Sequence, residues 1–172
     1  MRTNREKLTR TALLLAVSFV LSRLESLVPL NLIFPIPGLK LGLSNIAVMA
    51  AMLTVGKGAA IRLVVLRPLL SLLLFGNITG SVLSLCGGLF SIAAVSASLP
   101  LYRRTFSLGG ISVISAVFHG IGQCAAASVL MRNAAMLGYA PLLCAASSVT
   151  GLFTGWVMNA VIPKFLLKKE EI

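Results

Sequence analysis

A chain of 172 residues with 58% hydrophobic residues and a mean hydropathy of +0.99 is far more apolar than a water-soluble domain of that size needs for its core. Fifteen Lys and Arg face only four acids, Glu6, Glu25, Glu170 and Glu171, with no Asp, and the net charge is +11. The basic residues sit near the ends and in short gaps between long apolar runs, which suits anionic lipid headgroups and excludes a nucleic-acid interface.

A helix needs roughly 20 apolar residues to cross a hydrocarbon core of about 30 Å. Six runs of about that length can be placed between breakers, over residues 11–28, 39–55, 59–75, 80–101, 107–131 and 141–162. The first is expected to stop at Pro29, ahead of a Pro-rich connection through Pro35 and Pro37 that is too broken for a helix. Its apolar stretch contains Arg23 and Glu25 and lacks a small-residue cleavage site, so it reads as a span rather than a signal peptide. Gly56-Lys57-Gly58 closes the second run, Gly76-Asn77 the third, and Pro163 is expected to end the last. The fold class is therefore all-α: a single polytopic membrane domain over residues 1–172, built as a bundle of six transmembrane helices. Cys86, Cys124 and Cys144 each lie inside an apolar run and read as small packing residues, with neither a disulfide framework nor a metal-binding spacing.

Alternating the spans puts Arg2, Arg5, Lys7, Arg10, Lys57, Arg103, Arg104, Lys164, Lys168 and Lys169 on one side, and only Lys40 and Arg132 on the other. Ten cations against two place both termini in the cytoplasm of a cell-membrane protein. The Asn77-Ile78-Thr79 sequon falls in an outer turn too short to be glycosylated and reads as a chance match.

Function then has to come from polar residues inside the spans, because an ionisable group at mid-depth costs roughly 2.5 to 3.5 kcal/mol on insertion scales. Arg67 lies mid-span before Pro68, and it either orients a ligand or is satisfied by Glu25, the one acid inside any span, or by carbonyls. His119 and Gln123 are four residues apart and share a helix face, beside Gly120 and Gly122, where a backbone or a ligand can approach closely. Lys40 stands at the outer mouth of the second span, as an interface anchor or a movable entrance charge, with Asn45 just over one turn further in. Small residues recur four apart at Ala12 and Ala16, Gly38 and Gly42, Gly76 and Gly80, and Gly151 and Gly155, a spacing that permits close helix contact. Ser84, Gly87, Gly88 and Ser91 form a further close-packing face.

Several chemistries lack their parts. There is no GxxxxGK[ST] loop for ATP, no carboxylate set for Mg²⁺, and no second His or cysteine cluster for zinc. No catalytic residue, metal or cofactor is assigned.

The block Pro37-Gly38-Leu39-Lys40-Leu41-Gly42-Leu43-Ser44-Asn45, then Arg67, then Ser84 to Ser91, then Phe106-Ser107 through His119 to Gly122-Gln123, resembles the Gx transporter family, whose members are often labelled heptaprenyl diphosphate synthase component I. Glu25 before Pro29 and Tyr139 to Pro141 extend the resemblance over most of the chain, while Gly120 stands where that family favours Asn. The family is similar to the substrate-binding S components of energy-coupling factor transporters. That similarity implies six helices, uptake of a vitamin or small metabolite, and docking of small residues on the first helix, here Ala12 and Ala16, to a transmembrane coupling subunit served by ATPase subunits. Two functions stay open: a substrate-capturing transporter subunit, and a non-catalytic membrane accessory to heptaprenyl diphosphate synthesis. A prenyl synthase ionises an allylic diphosphate with Mg²⁺ held by aspartates, which this chain cannot supply alone. The expected site lies in the outer half, lined by Lys40, Asn45, Arg67, His119 and Gln123, prefers an anionic or strongly accepting ligand, and has residues 29–37 as its lid.

Overall fold

The computed structural model describes residues 4–27, 42–102 and 105–166, with side chains through residue 160. Among the described residues six α-helices follow one another: α1 (Asn4–Glu25), α2 (Asn45–Thr54), α3 (Lys57–Phe75), α4 (Ile78–Ser98), α5 (Leu108–Leu130) and α6 (Ala140–Leu166). Short 3₁₀ turns, Leu99–Leu101 and Ala134–Tyr139, carry the chain out of α4 and into α6. No strand forms among the described residues, and the architecture is the all-α bundle that the apolar runs imply. Four of the helical segments are long and apolar enough to cross a membrane: Lys57–Phe75, Ile78–Leu101, Leu108–Leu130 and Ala134–Ala160. α2 has only 10 residues, about 15 Å of rise, half of what a hydrocarbon core requires.

The residue distribution is inverted relative to a soluble bundle. On α1, Thr11, Ser18, Ser22 and Glu25 are buried, while Leu8, Leu13, Val17, Val20 and Leu24 are exposed. α3 buries Arg67 and exposes Leu66, Leu69, Leu73 and Leu74, and α6 exposes Leu142, Val149, Leu152, Phe153 and Trp156. In water such surfaces would drive aggregation. In lipid they are the favourable arrangement, because polar side chains find partners only inside the protein.

Local chemistry sets the helix ends. Gly76 closes α3 in the left-handed conformation (φ 63°), returning its amide to the Leu72 carbonyl. Asn77 accepts from the Gly80 amide at 2.8 Å, and Ser107 from the Gly110 amide at 3.1 Å, so the side chain of the sequon asparagine serves as the N-cap of α4. Pro68 interrupts no helix: α3 runs through it, and the residue is buried. The expectation that Pro163 ends the last helix is corrected, since α6 continues to Leu166 with Pro163 inside it. A proline removes one backbone hydrogen bond and can leave the helix standing.

α5 packs between α4 and α6. Their backbones approach where side chains are missing: a Cβ at Gly155 would stand 2.6 Å from the Gly109 Cα, and one at Gly122 would stand 2.9 Å from the Cys86 carbonyl oxygen. Of the other four-apart pairs, Gly80 faces its own Asn77 cap, Gly76 opens to empty space, Ala12 and Ala16 are exposed, and Gly38 lies outside the described residues. The main apolar core, with Ala47, Ala51, Ala60, Leu63, Val64, Ile92, Val95 and Ile111, fills the half of the bundle where α3 and α5 begin. The buried charged residues Glu25 and Arg67, with His119 and the amides of Asn45 and Gln123, lie in the other half.

Candidate functional site: a buried polar cluster

Each of the helices α1 to α5 contributes to that cluster. The Glu25 carboxylate, in the last residue of α1, accepts from the Gly42 amide and, at 3.3 Å, from the Leu43 amide, fixing the approach to α2. Two residues further on, Ser44 accepts from Arg67 Nη1. The same guanidinium reaches Ser18 Oγ on α1 at 3.4 Å and Ser84 Oγ on α4 at 3.0 Å. Arg67, only 1% exposed, thus ties α1, the start of α2, and α4 to α3. Glu25, 2% exposed, exerts a Coulombic attraction on it.

The second part lies between α2 and α5. Gln123 Nε2 and His119 Nε2 are 3.1 Å apart. Which of the two donates follows from the tautomer of the imidazole and the orientation of the amide. Gly87 of α4 lies against this pair, since a Cβ there would stand 2.9 Å from both His119 Cε1 and Gln123 Cγ. Gly42, at φ 94°, completes the wall: its Cβ would meet Asn45 Nδ2 at 3.0 Å and His119 Cδ2 at 3.4 Å. Both features demand glycine, one for space and one for backbone conformation. Asn45 is 5% exposed, and neither its Nδ2 nor its Oδ1 has a hydrogen-bond partner among the described residues; Arg67 Nε has none either.

Of the residues singled out from sequence, Asn45, Arg67, His119, Gln123 and Glu25 are brought into one neighbourhood, all buried. Lys40 and the segment 29–37 lie outside the described residues. Ala12 and Ala16 are elsewhere, on the exposed face of α1. Sequence reasoning missed Ser18 and Ser44 as partners of Arg67, took Ser84 for a packing residue, and gave Gly42 and Gly87 no place in the site. A signal for Ser18 is present, because Thr11, Ser18, Ser22 and Glu25 recur seven, four and three residues apart along the helix and so share one face.

An all-α membrane bundle that shields an Arg, a Glu, a His and two amides together in one half defines a polytopic membrane protein with an internal polar centre. The chain belongs to the family described as heptaprenyl diphosphate synthase component I, whose sequence model matches residues 14–161. No curated protein and no solved structure matches it.

Proposed function

We propose that the chain is the substrate-binding membrane subunit of a small-molecule uptake transporter, similar to the S components of energy-coupling factor systems. The observation that carries this reading is the Asn45 amide, buried beside the His119 ring with donor and acceptor both unsatisfied among the described residues. An unpartnered amide at depth costs about 1 to 3 kcal/mol, a cost that a bound ligand offering a complementary donor and acceptor removes. Arg67 Nε, His119 and Gln123 add to this polar surface. Vitamin-like molecules and anionic metabolites with a planar, hydrogen-bonding head fit that chemistry.

Such a subunit has no nucleotide site and concentrates its ligand by coupling to other chains. Ala12 and Ala16, exposed on α1, are the proposed contact with a transmembrane coupling subunit and, through it, ATPase subunits. The test is mass spectrometry of small molecules retained by the purified protein, repeated with Asn45→Ala and His119→Ala. A compound held by the wild type and lost from both folded variants supports the reading. Equal retention by all three removes these residues from the site. In the same preparations, Ala12→Leu with Ala16→Leu should abolish copurification of coupling subunits and leave the retained compound in place.

The family description favours a second reading, a non-catalytic membrane accessory to heptaprenyl diphosphate synthesis. With no Asp in its 172 residues, the chain would need a partner synthase to hold the Mg²⁺ that ionises an allylic diphosphate. Copurification of a prenyl synthase subunit in place of an ATPase module would favour it.

A further inference from the structure

At the far end of the bundle from the polar cluster, α2 stops, α3 starts and α4 passes into the turn Leu99–Leu101. These three ends enclose an open cleft of about 340 Å³ lined by Met52, Lys57, Ser96, Leu99 and Pro100. Three of the five are apolar. Lys57 is exposed, and Ser96 Oγ, itself shielded from solvent, has no hydrogen-bond partner among the described residues. The space before α3 is open: a Cβ on Gly56 or Gly58 would meet nothing within 4 Å, and no side chain caps the helix. The amides of Ala59 and Ala60 turn back to the Gly56 carbonyl, leaving those of Lys57 and Gly58 without a backbone acceptor among the described residues.

A cation and a spare hydroxyl above an apolar floor recognise a molecule with an anionic head and an apolar body. Charge at this end of the bundle agrees, since Arg5, Lys7 and Arg10 lie on the first turns of α1 and Glu6 is the one described acid there. We propose that this cleft binds an anionic phospholipid, its phosphate on Lys57 and Ser96 and its first acyl methylenes on Met52, Leu99 and Pro100. The site is separate from the Asn45 cluster and does not depend on the transport reading.

Native mass spectrometry of the purified full chain, titrated with phosphatidylglycerol or phosphatidylcholine of matched acyl chains, tests it. Phosphatidylglycerol should be retained about fivefold better, and Lys57→Ala should abolish that preference while Lys57→Arg keeps it. Ser96→Leu, which fills the cleft, should reduce retention of both lipids. Equal retention of the two lipids by the wild type, or a preference that survives in folded Lys57→Ala, would overturn the proposal. Displacement of phosphatidylglycerol by an equal concentration of soluble glycerol 3-phosphate would also overturn it, since a free phosphate ester would then be the occupant and the apolar floor irrelevant.

Discussion

Arg67 shows how a single charged residue can organise a membrane bundle. Its guanidinium engages hydroxyls from Ser18, Ser44 and Ser84, which belong to three different parts of the chain, and Glu25 offsets its charge. Serine suits this role because it is small enough to let helices approach and polar enough to solvate a cation where water is excluded. Glu25 is supported separately by the amides of Gly42 and Leu43, so the two charges brace the entry to α2 from both sides. If they compensate one another, removing either leaves the other buried and uncompensated. Glu25→Gln or Arg67→Met alone should then lower stability in detergent by about 3 to 5 kcal/mol, and the double variant by clearly less than the sum. Thermal unfolding of the four proteins measures the coupling, and additive losses would show that the two charges act independently. Arg67 was legible from sequence as a costly residue needing a partner. Which hydroxyls serve it was not, because Ser18, Ser44 and Ser84 lie 49, 23 and 17 residues away in sequence and only the fold brings them together.

At the scale of the element, polar and small residues do the work that hydrophobic stripes do in a soluble helix. α1 contains an apolar run over residues 12–17, yet the face it turns inward is polar, with Thr11, Ser18, Ser22 and Glu25 buried. The α5–α6 pair is set by missing side chains. Gly155 brings α6 within 2.6 Å, measured from its would-be Cβ, of the Gly109 Cα, and Gly151 likewise within 2.7 Å of the Val113 Cα. Both contacts are with backbone, which cannot swing aside as a long side chain does. Gly155→Ala should therefore force the helices apart and cost about 1 to 3 kcal/mol, read as a lower unfolding temperature in detergent; Gly58→Ala, with nothing within 4 Å, serves as the control. An unchanged temperature for Gly155→Ala would mean that α6 can slide at no cost. Spacing marked Gly151 and Gly155 in advance, but the same spacing also marked Gly76 and Gly80, which serve a helix end and its cap. A four-residue interval cannot tell a packing glycine from a capping one, because both need only the absence of a side chain.

Over the whole molecule, composition and run length define the fold class, and charge asymmetry defines the proposed orientation. α3, with 19 residues, and α5, with 23, are long enough to span about 28 to 35 Å, so the turns at their two ends fall on opposite faces of a bilayer. Lys57 starts α3 on one face; Asn133, just after α5, lies on the other. Arg23, over the Phe75 ring at 3.7 Å, pairs the end of α1 with the end of α3, which returns the start of α1 to the Lys57 face. That face gathers Arg5, Lys7, Arg10 and Lys57, while Arg132 is the described cation at the turn after α5. In the proposed orientation, with basic residues retained in the cytoplasm during insertion, the Lys57 face is inside, and with it the cleft proposed to bind anionic lipid. In a background where Cys86, Cys124 and Cys144 are replaced by serine or alanine, a cysteine at Lys57 should react with a membrane-impermeant maleimide only after the cells are opened. A cysteine at Asn133, exposed and next to the turn Ala134–Tyr139, should react in intact cells. The reverse pattern would invert the molecule, turn the polar cluster toward the cytoplasm, and be incompatible with capture of a ligand from outside.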